Sequence, residues 1–281
     1  MNPWQWDPSL FAGAAQYYER GRLPYAPTVA DVLASALALD GRGRLLDAGC
    51  GPGRIALRLA SKFEEVVGLD PDAGMIAEAQ RSAAEQGITN AHWVQARAEE
   101  LPAGLGMFRA VTFAASFHWM DRPRVARATR AILEPAGAAV QVDAPGYRFD
   151  DLQAAHEGFE LPYPLPPEAA IDALRVRWLG PDRRAGQGVR KGSLSGEDEV
   201  FQAAGFRPAR IVTVLDGRVL IRSIDDLVAE RLSNSSTAPH LFGARLDEFV
   251  AELCSVLTAA SPAGLFSVRL PDNILHVWVA R

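Results

Sequence analysis

The sequence predicts an α/β fold, a mostly parallel sheet with helices on both faces, and three observations predict it. Short apolar runs of strand length alternate with stretches of helical apolar spacing from Arg44 to about Asp143. Within RLLDAGCGPGR, Arg44 to Arg54, the pattern switches from strand to helix through three glycines. The next apolar run, Val66-Val67-Gly68-Leu69, ends on an acid, Asp70.

The glycine loop is the segment that carries chemistry. Gly49, Gly51 and Gly53 have no Cβ and accept positive φ, so a ligand can lie on the backbone. A helix start beyond them offers unpaired N–H groups to an anionic group. Dinucleotide-binding chains place G-x-G-x-x-G in the same setting, but the third glycine of that spacing falls here on Arg54, whose side chain would obstruct close helix–strand packing. Asp70 stands where an acid can accept hydrogen bonds from both hydroxyls of a ribose. LLDAGCGPG together with VVGLD resembles the class I S-adenosylmethionine-dependent methyltransferases.

That resemblance implies a Rossmann-like seven-stranded sheet with an antiparallel last strand and a mainly helical lid. It also implies a cofactor, S-adenosylmethionine, with S-adenosylhomocysteine as product. Carried onto this sequence, the cofactor-binding set is Tyr18, Arg22, Asp47, Ala48, Gly49, Cys50, Gly51, Asp70, Pro71, Met75, Ala98, Glu99, Ala115 and His118. Within it, Gly49 and Gly51 approach the methionine and ribose parts and Asp70 the ribose hydroxyls.

The rest of the chain is read in order. Phe11 to Leu39 holds two helices broken by Pro24 and Pro27, the second capped by Thr28. In the resembling family such a segment covers the cofactor pocket, with Tyr17, Tyr18, Arg22 and Tyr25 available to close it and Arg22 to pair with the methionine carboxylate. Helix-face packing for the tyrosines and solvation for Arg22 are the plainer roles. Pro71-Asp72 starts a helix that stops at Gly87. His92 to Gln95 make a third strand, after which Arg97 stands where the family more often has an adenine-reading acid, leaving that role to the backbone near Ala98 or to Glu99. Ala110 to Ala114 form the fourth strand, preceded by Phe108-Arg109 where F-D is usual.

The loop Ala115-Ser116-Phe117-His118-Trp119-Met120-Asp121 follows that strand, on the side of an open sheet where ligands bind. Its H-W pair and following helix resemble the small-molecule branch that includes trans-aconitate and ubiquinone-type enzymes. The N/D-P-P-Y/F motif of nucleic-acid amino methyltransferases does not occur there. His118 is the candidate catalytic base, because its unperturbed pKa lies near neutrality, while packing with Trp119 around the cofactor is the alternative.

Gly137 to Asp143 give a fifth strand, with Asp143 a candidate to face the acceptor. Tyr147 to Leu194 break the alternation and read as a lid whose apolar surface comes from Phe149, Phe159, Tyr163 and Trp178. Its basic cluster, Arg183, Arg184, Arg190 and Lys191, fits either an anionic substrate or a solvated loop. Ser195 is placed as a helix cap and Gly205 as the stop; ARIVTVL follows as the sixth strand. Ser223 to Ala260 carry two amphipathic helices around SNSSTAPHLFG, a loop placed to cover the acceptor. Its Ser233, Ser235, Ser236 and His240 lack the G-x-S-x-G elbow of a hydrolase. Asn273 to Val279 fit the antiparallel strand, with His276 structural.

The domain reading is therefore a helical cover at 1–40, a cofactor-binding core at 41–146, an acceptor lid at 147–194, and the rest of the sheet at 195–281 with the excursion 223–260. The net charge of −5 disfavours nonspecific attraction to nucleic acid or anionic membrane. Hydrophobic residues at 48% and charged ones at 22% read as an ordinary globular chain, with no long apolar run for a membrane span and no secretory signal pattern. Two cysteines, Cys50 and Cys254, make neither a disulfide framework nor a metal site, and a cytoplasmic location is the default. The expected function is methyl transfer to an O, C or N atom of a small-molecule acceptor by a monomer or homodimer with no metal. The alternatives are a protein of the same fold that binds cofactor or product without transfer, or a recruited cyclase.

Overall fold

The computed structural model describes residues 7–143, 156, 158–182 and 196–281. Seven strands form one sheet: β1 (Arg44–Ala48), β2 (Glu65–Asp70), β3 (Ala91–Gln95), β4 (Phe108–Ala114), β5 (Leu133–Val142), β6 (Arg210–Val214) and β9 (Asn273–Val279), in the order β3-β2-β1-β4-β5-β9-β6. β1 pairs in parallel with β2 and β4, while β9 runs antiparallel to both β5 and β6. The sheet is thus Rossmann-like, with its last strand reversed.

Period-two alternation assigns the two apolar faces. Leu46, Val67 and Phe113 enter one core with a ring stack of Phe117, Phe201 and Trp278; Leu45, Val66 and Val140 enter the other with Leu33 and Ile55. The first face is covered by α5 (Arg122–Ile132) and α7 (Glu197–Ala203), the second by α2 (Val29–Ala36) and α3 (Ala56–Leu59). Because strand order reverses between β1 and β4, the loops after these two strands open a crevice at their carboxyl ends.

Several local expectations meet a different outcome. Thr28 sits at the N-cap of α2 but its side chain makes no capping bond, since its backbone at φ −85° and ψ 1° is not the extended form that presents the hydroxyl. Asp72 does adopt that form and accepts the Met75 N–H at 3.0 Å, opening α4 (Ala73–Glu85). The helix after the glycine loop lasts only four residues and tightens into a 3-10 turn at Ala60–Lys62. Ser195 lies outside the described residues, and Gly196 occupies the N-cap of α7 in a left-handed conformation without a side-chain bond.

A second unit stands apart from the sheet. It packs α6 (Glu168–Leu179), α8 (Ile224–Leu232) and α9 (Leu246–Ala260) around Phe242, Phe249, Leu253 and Phe266. Phe242 and Phe249 stack at 4.0 Å and Trp178 meets both edge-on. An antiparallel pair, β7 (Val219–Ser223) with β8 (Leu265–Arg269), flanks the two helices of the excursion and closes the unit. We call this unit the cap. The N-terminal helix α1 (Ala15–Gly21) lies against α8. No helix among the described residues is long and apolar enough to cross a membrane.

Candidate functional site

The loop after β1 is held by its own backbone. The N–H groups of Gly49 and Cys50 both donate to the Leu69 carbonyl, at 2.7 and 3.0 Å. Gly49 has φ 68°, and a Cβ there would stand 2.6 Å from the Ser116 Cβ. Gly51 has φ 53° and a Cβ on it would meet no atom within 4 Å, so it would project into open space. That space is the crevice, and a ligand can lie where the missing Cβ would be. Arg54, in place of the third glycine of a dinucleotide fingerprint, turns away from the sheet: it donates to the Leu23 carbonyl at 3.0 Å and pairs with Glu19 at 3.3 Å. Close packing is supplied by Gly53 and Gly68, over both of which the Trp93 ring lies.

Two buried carboxylates sit beneath this loop. Asp70 accepts the Gly51 N–H at 2.8 Å on one oxygen and the Asp72 N–H at 2.9 Å on the other. Each oxygen keeps a lone pair, enough for two hydroxyl donors. Burial raises its pKa to about 6, against the pull of those two N–H groups. Asp47 is wholly buried and accepts the Thr112 hydroxyl at 2.7 Å. Burial raises its pKa to about 7, opposed by the Thr112 hydroxyl and the Ala56 N–H. The Cys50 thiol is pushed well up by burial and by the charges of Asp70 and Asp47, which makes it a poor nucleophile.

Two adjoining cavities open over the crevice, of about 740 and 2150 Å³ including their solvent-open mouths. The smaller is walled by Gly49, Gly51, Asp70, Pro71, Met75, Ala98, Glu99 and Ala115 from the predicted set, with Tyr18 above. The larger shares Tyr18, Gly49, Gly51 and Ala115 and adds Arg22, Cys50 and His118. Asp47 and Ala48 do not line either cavity. They lie under the loop as its support, Asp47 through Thr112 and Ala48 by accepting the Ser116 hydroxyl at 2.6 Å.

The end of β4 forms the partition between the cavities. Ala115 has φ 52°, a left-handed conformation for a residue with a Cβ, and turns the chain into the 3-10 turn Phe117–Trp119. The His118 ring packs on Trp119 at 4.7 Å, and Trp119 meets Phe11 edge-on at 5.4 Å. Glu99 is buried and accepts the Asp121 N–H at 2.8 Å, so one oxygen serves the start of α5. Arg97 lines the smaller cavity and pairs with Glu100 at 3.1 Å, whereas Arg109 faces away, donating to the Ala38 carbonyl and to Asp40.

The cap supplies the far wall of the larger cavity: Glu168, Asp172, Arg175, Arg231 and the loop 234–237. Arg175 pairs with Asp172 at 2.9 Å and Arg231 with Glu168 at 2.5 Å. No sequence spacing points to this wall, because its residues come from α6 and from α8 with the loop after it, far apart in the chain. Phe11, Ser116, Trp119 and Met120 also line the smaller cavity beyond the predicted set. Of the residues expected to face the acceptor, Ser235 and Ser236 do line the larger cavity. Asp143 instead accepts from Gln141 at 2.9 Å and meets His276 at 3.4 Å. Trp178 is packed inside the cap and Tyr17 against it; Phe159 is exposed under Arg269, and the Tyr163 N–H donates to the Ser267 hydroxyl. Tyr147, Phe149, Arg183, Arg184, Arg190, Lys191 and Leu194 lie outside the described residues. Among the described residues no group of three metal-ligating side chains converges.

Comparison with known proteins agrees with this geometry. Residues 45–137 match the model of a family described as a methyltransferase domain. An uncharacterized methyltransferase of Mycobacterium tuberculosis H37Rv is 34% identical over 127 residues, 45% of this chain and 49% of that protein. A malonyl-[acyl-carrier protein] O-methyltransferase of Enterobacter lignolyticus is 35% identical over 113 residues, 40% of this chain and 43% of that protein. The chain spans about half the length of the curated relatives it matches. Among solved structures, the YcgJ protein of Bacillus subtilis superposes with TM-score 0.51 at 19% identity, over 90% of this chain and 97% of that one. The [4+2]-cyclase SpnF superposes with TM-score 0.53 at 19% identity, over 97% and 92%. These structures share the fold. Residues 45–137, which carry the glycine loop, Asp70 and the loop after β4, are thus the part of the chain that is similar to a methyltransferase domain.

Proposed function

We propose that the protein transfers a methyl group from S-adenosylmethionine to a small-molecule acceptor. The observation that carries the reading is the pair of cavities sharing one wall at Gly49, Gly51 and Ala115. The smaller fits the nucleoside part, with Asp70 toward the ribose hydroxyls and Ala98 and Glu99 toward the adenine. The larger has room for the methionine part and the acceptor, with Arg22 toward the methionine carboxylate. The open space at the missing Gly51 Cβ and the free lone pairs on Asp70 fit this group. When bound, the cofactor supplies an electrophilic methyl on a sulfonium sulfur.

The chain's own contribution is orientation and exclusion of water. Tyr18, Phe11 and Trp119 roof the partition, and Gly49 lets the backbone approach it. His118, on the larger cavity's wall, is placed to accept a proton from an acceptor hydroxyl or acidic carbon. His118→Ala then lowers turnover far more than cofactor affinity; equal losses in both assign the ring to packing instead.

Titration calorimetry with S-adenosylmethionine, S-adenosylhomocysteine and NADH tests the cofactor. Binding of the first two alone supports the reading, and binding of NADH alone ends it. Release of S-adenosylhomocysteine on adding candidate acceptors separates transfer from binding without transfer.

A further inference from the structure

The side chain that connects the two halves of the site belongs to neither cavity. Arg222, in β7, is only 5% exposed, and its Nη2 donates to three backbone carbonyls: Arg20 at 3.2 Å, Gly21 at 3.0 Å and Asp226 at 3.0 Å. The first two are carbonyls at the C-terminal end of α1, where a helix leaves them unpaired and a cation is favoured. The third belongs to α8 in the cap. One guanidinium therefore clamps the end of α1 onto α8.

Three further contacts agree. Gly21 is packed so closely that a Cβ on it would lie 2.4 Å from the Ala229 carbonyl oxygen of α8. Arg20 pairs with Asp226 at 2.7 Å and Asp225 at 3.3 Å. Arg22, the residue after the clamped carbonyls, donates to the Ser233 carbonyl at 2.7 Å, at the start of the loop that walls the larger cavity. The core holds this segment through Arg54, which pairs with Glu19 and donates to the Arg22 and Leu23 carbonyls at 3.5 and 3.0 Å, and through the approach of Ala15 to Gly74 of α4. Tyr18 and Arg22 sit one turn apart at this end of α1, with the Arg22 guanidinium 4.9 Å over the Tyr18 ring.

We propose that Arg222 is a positioning residue for the methyl-transfer site: it makes α1 part of the cap, so the cap rather than the sheet places Tyr18 and Arg22 over the cofactor. One body then closes both cavities. The placement of α1 stands on geometry alone, and its role toward the cofactor rests on the function proposed above.

The test has two arms on the full chain. In the first, without ligand, native-state hydrogen exchange is followed through low denaturant. The amides of 15–21 open together with those of 224–232; opening with β1 and β2, or independently at lower cost, overturns the proposal. In the second, Arg222→Met and Arg222→Lys are titrated with S-adenosylhomocysteine. The Met variant binds about tenfold more weakly and exchanges faster in α1, with β1 to β5 unchanged, while the Lys variant recovers part of the affinity. A folded Met variant with wild-type affinity and exchange overturns the proposal. If the Met variant does not fold, the first arm decides. If the wild type fails to bind S-adenosylhomocysteine, the methyl-transfer reading falls while the first arm still decides the place of α1.

Discussion

The sheet and the cap hold their polar groups in opposite ways. Under the glycine loop, Asp47 and Asp70 are buried acids served by backbone N–H groups and one hydroxyl, with no basic partner among the described residues and with raised pKa values. On the cap wall, Arg175 and Arg231 are matched to Asp172 and Glu168. The first arrangement leaves acid charge without a counter-ion beneath the loop, and of the two acids only Asp70 lines a cavity. The second neutralises its charges internally, pairing each guanidinium with a carboxylate.

The largest effect that sharpens the comparison is expected in the cap core. Phe249→Ala removes a ring buried between Phe242 and Trp178 and should cost about 3–5 kcal/mol of stability. Exchange measurements should show the loss in α6, α8 and α9 first; a uniform loss across β1 to β5 would mean that the two regions are one cooperative unit. Next comes Gly49→Ala, where the new Cβ meets Ser116 in a left-handed backbone, at a cost of about 1–3 kcal/mol, together with loss of cofactor binding. Thermal melts with and without S-adenosylhomocysteine read both, and retained ligand stabilisation would argue against the loop as the binding element.

Asp70→Ala should weaken S-adenosylhomocysteine by about 1–3 kcal/mol through lost charge-assisted bonds, and a folded variant of wild-type affinity would remove Asp70 from the ribose. The ionised form accepts those bonds, so wild-type affinity should rise as the pH climbs through about 6. Titrations from pH 5 to pH 8 check it, and the Ala variant should lack that step.

Much of the fold was legible because backbone chemistry dictates it locally. Gly49, Gly51 and Asp70 are spaced by the loop and strand that must carry them, and Asp72 caps α4 through an i to i+3 bond. Thr28 was misjudged as a cap because its identity fits while its dihedrals do not. The pairing of β7 with β8 was hidden because α8 and α9 lie between the two strands, so no local turn links them. The cap-side wall was illegible for a related reason. Glu168 meets Arg231 across 63 positions, and no spacing rule links them.

A further test concerns the buried acid that lines neither cavity. In the native state Asp47 titrates near 7, above the ordinary carboxylate value, so its protonated form is favoured by folding. That contribution is complete below about pH 4 and is lost as the pH rises through about 7. Asp47→Asn should therefore gain stability relative to wild type as the pH rises from about 4 to 8, with the difference vanishing below about pH 4. Denaturant melts at the two pH values decide, and a gap that is the same at both would mean the acid is neutral or solvated throughout.

The contact between Gly21 and Ala229 also sets an order of events during synthesis. Strands β1 to β5 complete their parallel pairings within the first half of the chain and can begin to fold as that half leaves the ribosome. The helix that precedes them has to wait until Ala229 has been made, some two hundred residues later, before its docking surface exists. A helix translated before the sheet is thus docked after it, and the nascent site stays open until the cap has been made.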